Sequence, residues 1–264
     1  MRPRMDKRLA RHFDACNNAT LPGERIAFAI GTTQVGWVRP EVARALAGFP
    51  AMAVGPRRAT LAADAAGDLP ATGRALSEQG FCRWRGEAFD VRASGDGPVL
   101  ATLDRGALPI FGVLAAGVHV NGLVQRPDGL HLWIARRAAD KALDPGKLDH
   151  LVAGGIPSGM TPRETVVKEA AEEAGVARVL AETAVETGLV SYTMERPEGL
   201  RRDWLICYDL FLPEDFVPHA ADGEVESFEL WPVARVLDRV RDTDDFKFNV
   251  NLVLIDLFRR LGLA

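Results

Sequence analysis

Apolar residues recur along this chain with two spacings, and the exchange between them predicts its elements. Leu9, Phe13 and Cys16 recur at helical spacing among charges, which predicts an amphipathic helix over residues 5–16. RIAFAI and TQVGWV, separated by a glycine-bearing turn, predict a hairpin. Pro40 opens a short helix over EVARALAGF, a second helix is expected from Thr72 to Gln79, and EAFDVRA and VLATLDR read as strands around an SGDGP turn. From Phe111 the apolar runs lengthen. GVLAAGVHVNGLVQ and LHLWIARRA flank a PDG turn and predict a second hairpin, and a polar loop and short strand (ADKALDPGKLDHLVAGG) follow. VLAETAVETGLVSY and WLICYDLFLP predict a strand pair interrupted by an excursion, TMERPEGLRRD. A last strand falls in FVPHAADGEVESFELWPV, and helices near Val233 to Val240 and Val250 to Leu261 close the chain.

The 264 residues, 47% of them apolar, suffice for one or two domains with buried cores. The expected division is a small α+β domain over residues 1–108 and a second domain over 109–264. In the latter, helices on both sides of a mixed sheet predict an α/β/α sandwich. A net charge of −4 leaves no basic footprint for nucleic acid. Cys16, Cys82 and Cys207 are too scattered for a disulfide framework or a zinc site. The charged N-terminus lacks a signal-peptide core, and no run approaches 18 apolar residues, so the expectation is a cytoplasmic protein without membrane contact. The first 108 residues show no catalytic cluster; Trp37, Trp84 and Arg85 are candidate ligand-lining residues there, against core packing.

Candidate chemistry concentrates in GGIPSGMTPRETVVKEAAEEAGV, residues 154–176. Thr161 as N-cap, Pro162 at the first helical position and Glu164 three residues after the cap announce a helix, and Gly175 ends it. Val167, Ala170, Ala171 and Ala174 form the expected buried stripe, with Glu169, Glu172 and Glu173 on the opposite side. Three carboxylates at i, i+3, i+4 repel one another and require a positive partner, of which only Lys168 borders the cluster. Hard oxygens this close suit Mg²⁺ or Mn²⁺. The bland alternative is an acidic surface helix.

The stretch resembles the Nudix box, G-x5-E-x7-R-E-U-x-E-E-x-G-U. Gly154, Glu169, Ala170, Glu172, Glu173, Gly175 and Val176 match it, whereas Lys168 stands at the family's arginine and Met160 at its first glutamate. Further segments, among them PIFGVLAAGVHVNG, PGKLDHLVAGGIPSGM and FKFNVNLVLIDLF, are similar to the Nudix subfamily found beside thiamine pyrophosphokinase in some fungi, which carries its own N-terminal domain and a methionine at the Met160 position. The resemblance implies the Nudix fold and metal-dependent hydrolysis of an organic diphosphate, with thiamine diphosphate and its oxo and oxy derivatives as first candidates. Pyrophosphatase action on nucleoside diphosphate derivatives such as ADP-ribose or NADH is the alternative, and a non-catalytic diphosphate sensor a third reading.

The family's chemistry assigns Glu172 and Glu173 as metal ligands and Glu169 as ligand or base, with Glu224 or Glu226 as a late acid completing the site. Arg136, Arg137, Lys141 and Lys147 are cations able to meet a diphosphate. Arg136 and Lys141 are preferred, with Asp149 holding one of them in place. His119 reads as a core histidine, and Tyr192 and Trp204 as packing residues before stacking platforms. The expected partner is a small organic diphosphate, with no nucleic acid and no membrane; homodimer formation is left open.

Overall fold

Asp6 accepts the backbone N–H of Arg8 and so caps a helix, α1 (Lys7–Cys16), whose buried residues Leu9, His12 and Cys16 lie at helical spacing. In the computed structural model, which describes residues 6–141, 143–220 and 223–264, α1 is followed by β1 (Ile26–Ile30), β2 (Thr33–Val38), α2 (Pro40–Leu46), β3 (Met52–Val54) and β4 (Arg58–Leu61). A 3-10 turn (Ala63–Asp68), α3 (Leu69–Glu78), β5 (Ala88–Val91), β6 (Ala101–Asp104) and α4 (Leu108–Phe111) complete the first part. The first four strands form a sheet of order β2-β1-β4-β3, and β5 and β6 make a separate ribbon. Its core holds Phe28, Leu46, Leu61, Leu69, Leu103 and Phe111, with the Phe28 and Phe111 rings 4.9 Å apart.

The second part contains β7 (Leu114–Arg126), β8 (Gly129–Arg137), β9 (Leu148–Asp149), β10 (Val152–Gly155), α5 (Pro162–Ala174) and α6 (Arg178–Ala181). It ends with β11 (Val185–Arg196), β12 (Gly199–Phe211), β13 (Val225–Pro232), α7 (Val233–Asp242) and α8 (Val250–Arg260). The main sheet runs β11-β12-β7-β8-β13; β12 and β7 are parallel and the other pairs antiparallel, which makes it mixed. Alternation along the strands sends Val118, Val120 and Tyr208 to α5 on one face, and Leu123, Leu132 and Ile134 to α7 and α8 on the other. The result is the expected α/β/α sandwich.

β7 is the strand that creates room for a site. One edge pairs continuously with β12, while the other pairs with β10 at Gly117–Val120 and with β8 from Gly122 onward. The sheet therefore forks, and β8 and β10 diverge around a gap.

Several expectations need correction. TMERPEGLRRD is no excursion but the end of a long hairpin: Thr193 pairs with Arg202 and Arg196 with Gly199, so β11 and β12 continue almost to the turn. Backbone pairing accommodates charged residues that the apolar pattern had read as loop. α3 starts at Leu69, three residues early, because the 3-10 turn feeds it and Pro70 fits its first turn. β3, β4, α4 and α6 were not anticipated. Packing crosses residue 108 in both directions. α1 lies against β11, α7 and α8, and Phe111 and Val113 belong to the first core. No helix among the described residues is long and apolar enough to cross a membrane.

Candidate active site

Local chemistry builds α5. The Thr161 hydroxyl accepts the Glu164 N–H at 3.2 Å, the Glu164 carboxylate accepts the Thr161 N–H at 2.8 Å, and Gly175 closes the helix with φ of 63°. The buried residues are Thr165, Val166, Ala170 and Ala174. This differs from the sequence expectation: Val167 is half-buried and Ala171 exposed. At about 100° per residue, Glu169 and Glu173 fall between Thr165 and Val166, inside the inward sector and not opposite to it. The helix rests its apolar stripe on the sheet and its acids on β10.

Two consecutive residues of β10 receive them. The Ala153 N–H donates to Glu173 Oε2 at 2.9 Å. Gly154 faces Glu169 so closely that a Cβ there would lie 2.5 Å from the carboxyl carbon. Lys168 supplies the missing positive charge, its Nζ 2.9 Å from Glu169 Oε1 and 2.8 Å from Glu172 Oε2. Burial pushes the Glu173 carboxyl up to about 8, against the Ala153 N–H, and the charges of Asp149, Glu169 and Glu224 add to the push. Burial also raises Glu169, with Lys168 opposing. Glu172 is the outermost of the three, half exposed. Three carboxylates, two of them held inward at an energetic disadvantage, and an ammonium already bridging one pair make a donor set that fits a hard divalent cation.

The gap between β8 and β10 is lined by Ala135, Arg137, Lys141, Asp149, Glu173 and Glu224, among others. Arg137 is tied down on three arms: Nη1 donates to Asp149 Oδ2 at 2.7 Å, Nη2 to the Leu143 carbonyl at 3.0 Å and Nε to the Asp144 carbonyl at 3.2 Å. Asp149 is buried, takes the His150 N–H on Oδ1 at 2.9 Å, and has Lys247 Nζ 3.6 Å from Oδ2. Burial opposes its charge, but Lys247 and Arg137 more than offset this and hold its carboxyl far below the usual range.

Of the residues singled out from the sequence, the structure brings Glu173, Glu224, Lys141 and Asp149 to one cleft, with Glu169 and Glu172 on the adjoining helix edge. Lys141 pairs with Glu224. Glu226 falls at the irregularity where β13 pairing skips from Val225 to Ser227, is exposed, and does not line the cleft. Arg136 donates to the Gly146 carbonyl at 3.0 Å, and Arg137 lines the cleft. Strand alternation carried that signal, since Ala135 and Arg137 share a face. Lys247 and His150 had no comparable sequence signal, because distant segments meet here.

His119, Asp149 and His150 bring one potential ligand atom each within 4.8 Å of one another. Their electrostatics argue against a metal ion between them. The two Nδ1 atoms are 3.0 Å apart, a hydrogen bond in which one ring accepts, and the carboxylate already faces two cations. Tyr192 is buried with its hydroxyl on Asp203, and Trp204 lies beneath Gly95, so both are engaged by the fold.

Residues 116–250 match the NUDIX domain family. The chain is 48% identical over 178 residues to Nudix hydrolase 20, chloroplastic, of Arabidopsis thaliana, covering 67% of this chain and 48% of that protein. It is equally 48% identical over 179 residues to Nudix hydrolase 24, chloroplastic, of the same plant, covering 68% and 49%. It thus spans about half the length of these relatives. Among solved structures, DR0079 of Deinococcus radiodurans shares the fold, with a TM-score of 0.51 and 22% identity over 66% of this chain and 100% of that one. With the matched segment taking in β10, α5 and most of the forked sheet, the chain belongs to the NUDIX domain family.

Proposed function

We propose that this protein hydrolyses the phosphoanhydride bond of an organic diphosphate, using Mg²⁺ or Mn²⁺ held by Glu169, Glu172 and Glu173. The observation that carries this reading is the inward placement of Glu169 and Glu173 against β10, beside a cleft walled by Arg137 and Lys141. The bound cation would neutralise phosphate charge and lower the pKa of water. Arg137 meets a phosphate oxygen through a guanidinium already fixed in place, and Lys141, paired with Glu224, lines the cleft mouth. Glu169 orients the attacking water and takes its proton. Glu224 stands across from Glu173 as the late acid, in preference to Glu226. Water's oxygen forms a bond to phosphorus, the bridging P–O bond breaks, and the products are a monophosphate and inorganic phosphate.

For the substrate, the subfamily-like segments and Met160 favour thiamine-type diphosphates over ADP-ribose or NADH. The N-terminal part borders the site: Ser158, in the loop before α5, donates its N–H to the Ala88 carbonyl at 2.8 Å and its hydroxyl to Asp90 at 2.6 Å. These contacts support a role for β5 in shaping the non-phosphate end. Purified protein with Mg²⁺ is expected to release phosphate from oxythiamine diphosphate with higher kcat/KM than it shows for ADP-ribose. Glu173→Gln should lower kcat/KM at least about a hundredfold. Equal turnover by the variant would overturn the hydrolase reading. Reversed preference would replace only the substrate, and tight diphosphate binding without turnover in any metal would establish a sensor.

A further inference from the structure

Behind the cleft lies a lysine that no step above uses. Lys247 comes from the segment between α7 and α8, where its N–H donates to the Leu148 carbonyl at 2.9 Å. Its side chain is only 11% exposed, and the nearest carboxylate oxygen among the described residues, Asp149 Oδ2, is 3.6 Å away, beyond hydrogen-bond distance. A desolvated ammonium so loosely satisfied is costly, and its position needs a reason. The same Oδ2 takes Arg137 at 2.7 Å.

Charge counting along the cleft supplies that reason. Lys141 and Glu224 pair and cancel, and Glu173 belongs to the cation site. The His119–His150 hydrogen bond leaves one ring, as acceptor, without charge. What faces an entering phosphate is Arg137 with Asp149 against it, a neutral pair, unless a third charge is added.

We infer that Lys247 is a positioning residue: it balances Asp149 from behind, so that Arg137 stays anchored by that carboxylate while the group retains one net positive charge for a phosphate. The inference rests on the diphosphate reading above. It makes binding follow the charge of the Lys247–Asp149–Arg137 group, whereas a purely structural role makes binding follow the number of intact contacts.

Four proteins separate the two: wild type, Lys247→Met, Asp149→Asn, and the double variant. The measurement is metal-free binding of inorganic pyrophosphate by calorimetry, repeated at low and moderate salt. Lys247→Met removes the net charge and should weaken binding about tenfold, with a flatter salt dependence. Asp149→Asn, whose amide oxygen still accepts from Arg137, should bind at least as tightly as wild type. The double variant restores a single positive charge and should return to within about threefold of wild type. The inference is overturned if Asp149→Asn weakens binding or if the double variant is the weakest of the four. Should Lys247→Met fail to fold, the other three still decide. Pyrophosphate that does not bind wild type at all, from a protein inactive on every diphosphate tested, would instead remove the underlying reading.

Discussion

Gly154 shows how much of the proposed chemistry depends on one missing methyl group. Its Cα, on β10, faces Glu169 of α5, and a Cβ would come within 2.5 Å of the glutamate's carboxyl carbon and 2.7 Å of Oε2. The atoms in the way, Cγ, Cδ and Oε2, all belong to one flexible side chain and none to backbone, so the strand need not move. Glu169 would swing outward, away from its neighbours on the helix. Gly154→Ala is accordingly expected to change stability by less than about 1 kcal/mol while lowering kcat/KM tenfold or more, a split that chemical denaturation and steady-state kinetics on one preparation would expose. Loss of stability without loss of activity would mean that Glu169 does not need its inward position.

At the scale of elements, the meeting of β7 with the turn between β9 and β10 carries a pH dependence. His119 on β7 and His150 after β9 are both buried, their rings 5.0 Å apart and edge to face. Burial lowers His150 to about 4, with Asp149 pulling upward and Lys247 downward, and burial lowers His119 too. A histidine whose folded pKa lies below its unfolded value near 6.5 contributes stability that is complete above about pH 6.5 and is lost as pH falls toward 4. For His150 alone the loss reaches about 3 kcal/mol at most. Urea unfolding between pH 7 and 4 should show this decline, and His150→Gln should flatten it; an unchanged slope would place the acid sensitivity elsewhere. The elements also divide what was legible in the chain. α5 was readable because its cap, its stop and its apolar residues are local. The sector in which its acids lie was not, because that depends on β10, a four-residue strand of one valine, one alanine and two glycines with no strong pattern of its own. Along β8 it is Arg137, two residues from Ala135, that shares the cleft-facing parity, and Arg136 the opposite one. Lys247 was invisible for a different reason, since nothing within FKFNVN says that Asp149 waits on the other side.

For the whole molecule, chain order and packing disagree in an informative way. α1 comes first in sequence yet completes the C-terminal layer: Leu9 sits in the core with Val236, Val240 and Phe258, Cys16 packs with Val190 and Leu252, and His12 Nε2 lies 2.7 Å from the Val240 carbonyl. Arg8 pairs with Asp242 at 3.0 Å from the same helix. From the other direction, β5 is fastened to the loop that leads into α5. The first part therefore brackets the NUDIX sandwich from two sides, and a cut at residue 108 removes both brackets. A fragment of residues 109–264 should lose the cover over Leu257 and Phe258 and bind an apolar dye that the full chain excludes. In the full chain, Leu9→Ala leaves a cavity between α1 and α7 and should cost about 3 kcal/mol by urea unfolding, as large-to-small changes in tight cores do. Its effect on KM should be small, because α1 packs on β11, α7 and α8 and contributes no residue to the cleft lining among the described residues. A stable, dye-silent fragment with full activity would show instead that the sandwich is self-sufficient, and would confine the role of the first 108 residues to whatever β5 does at the substrate's far end.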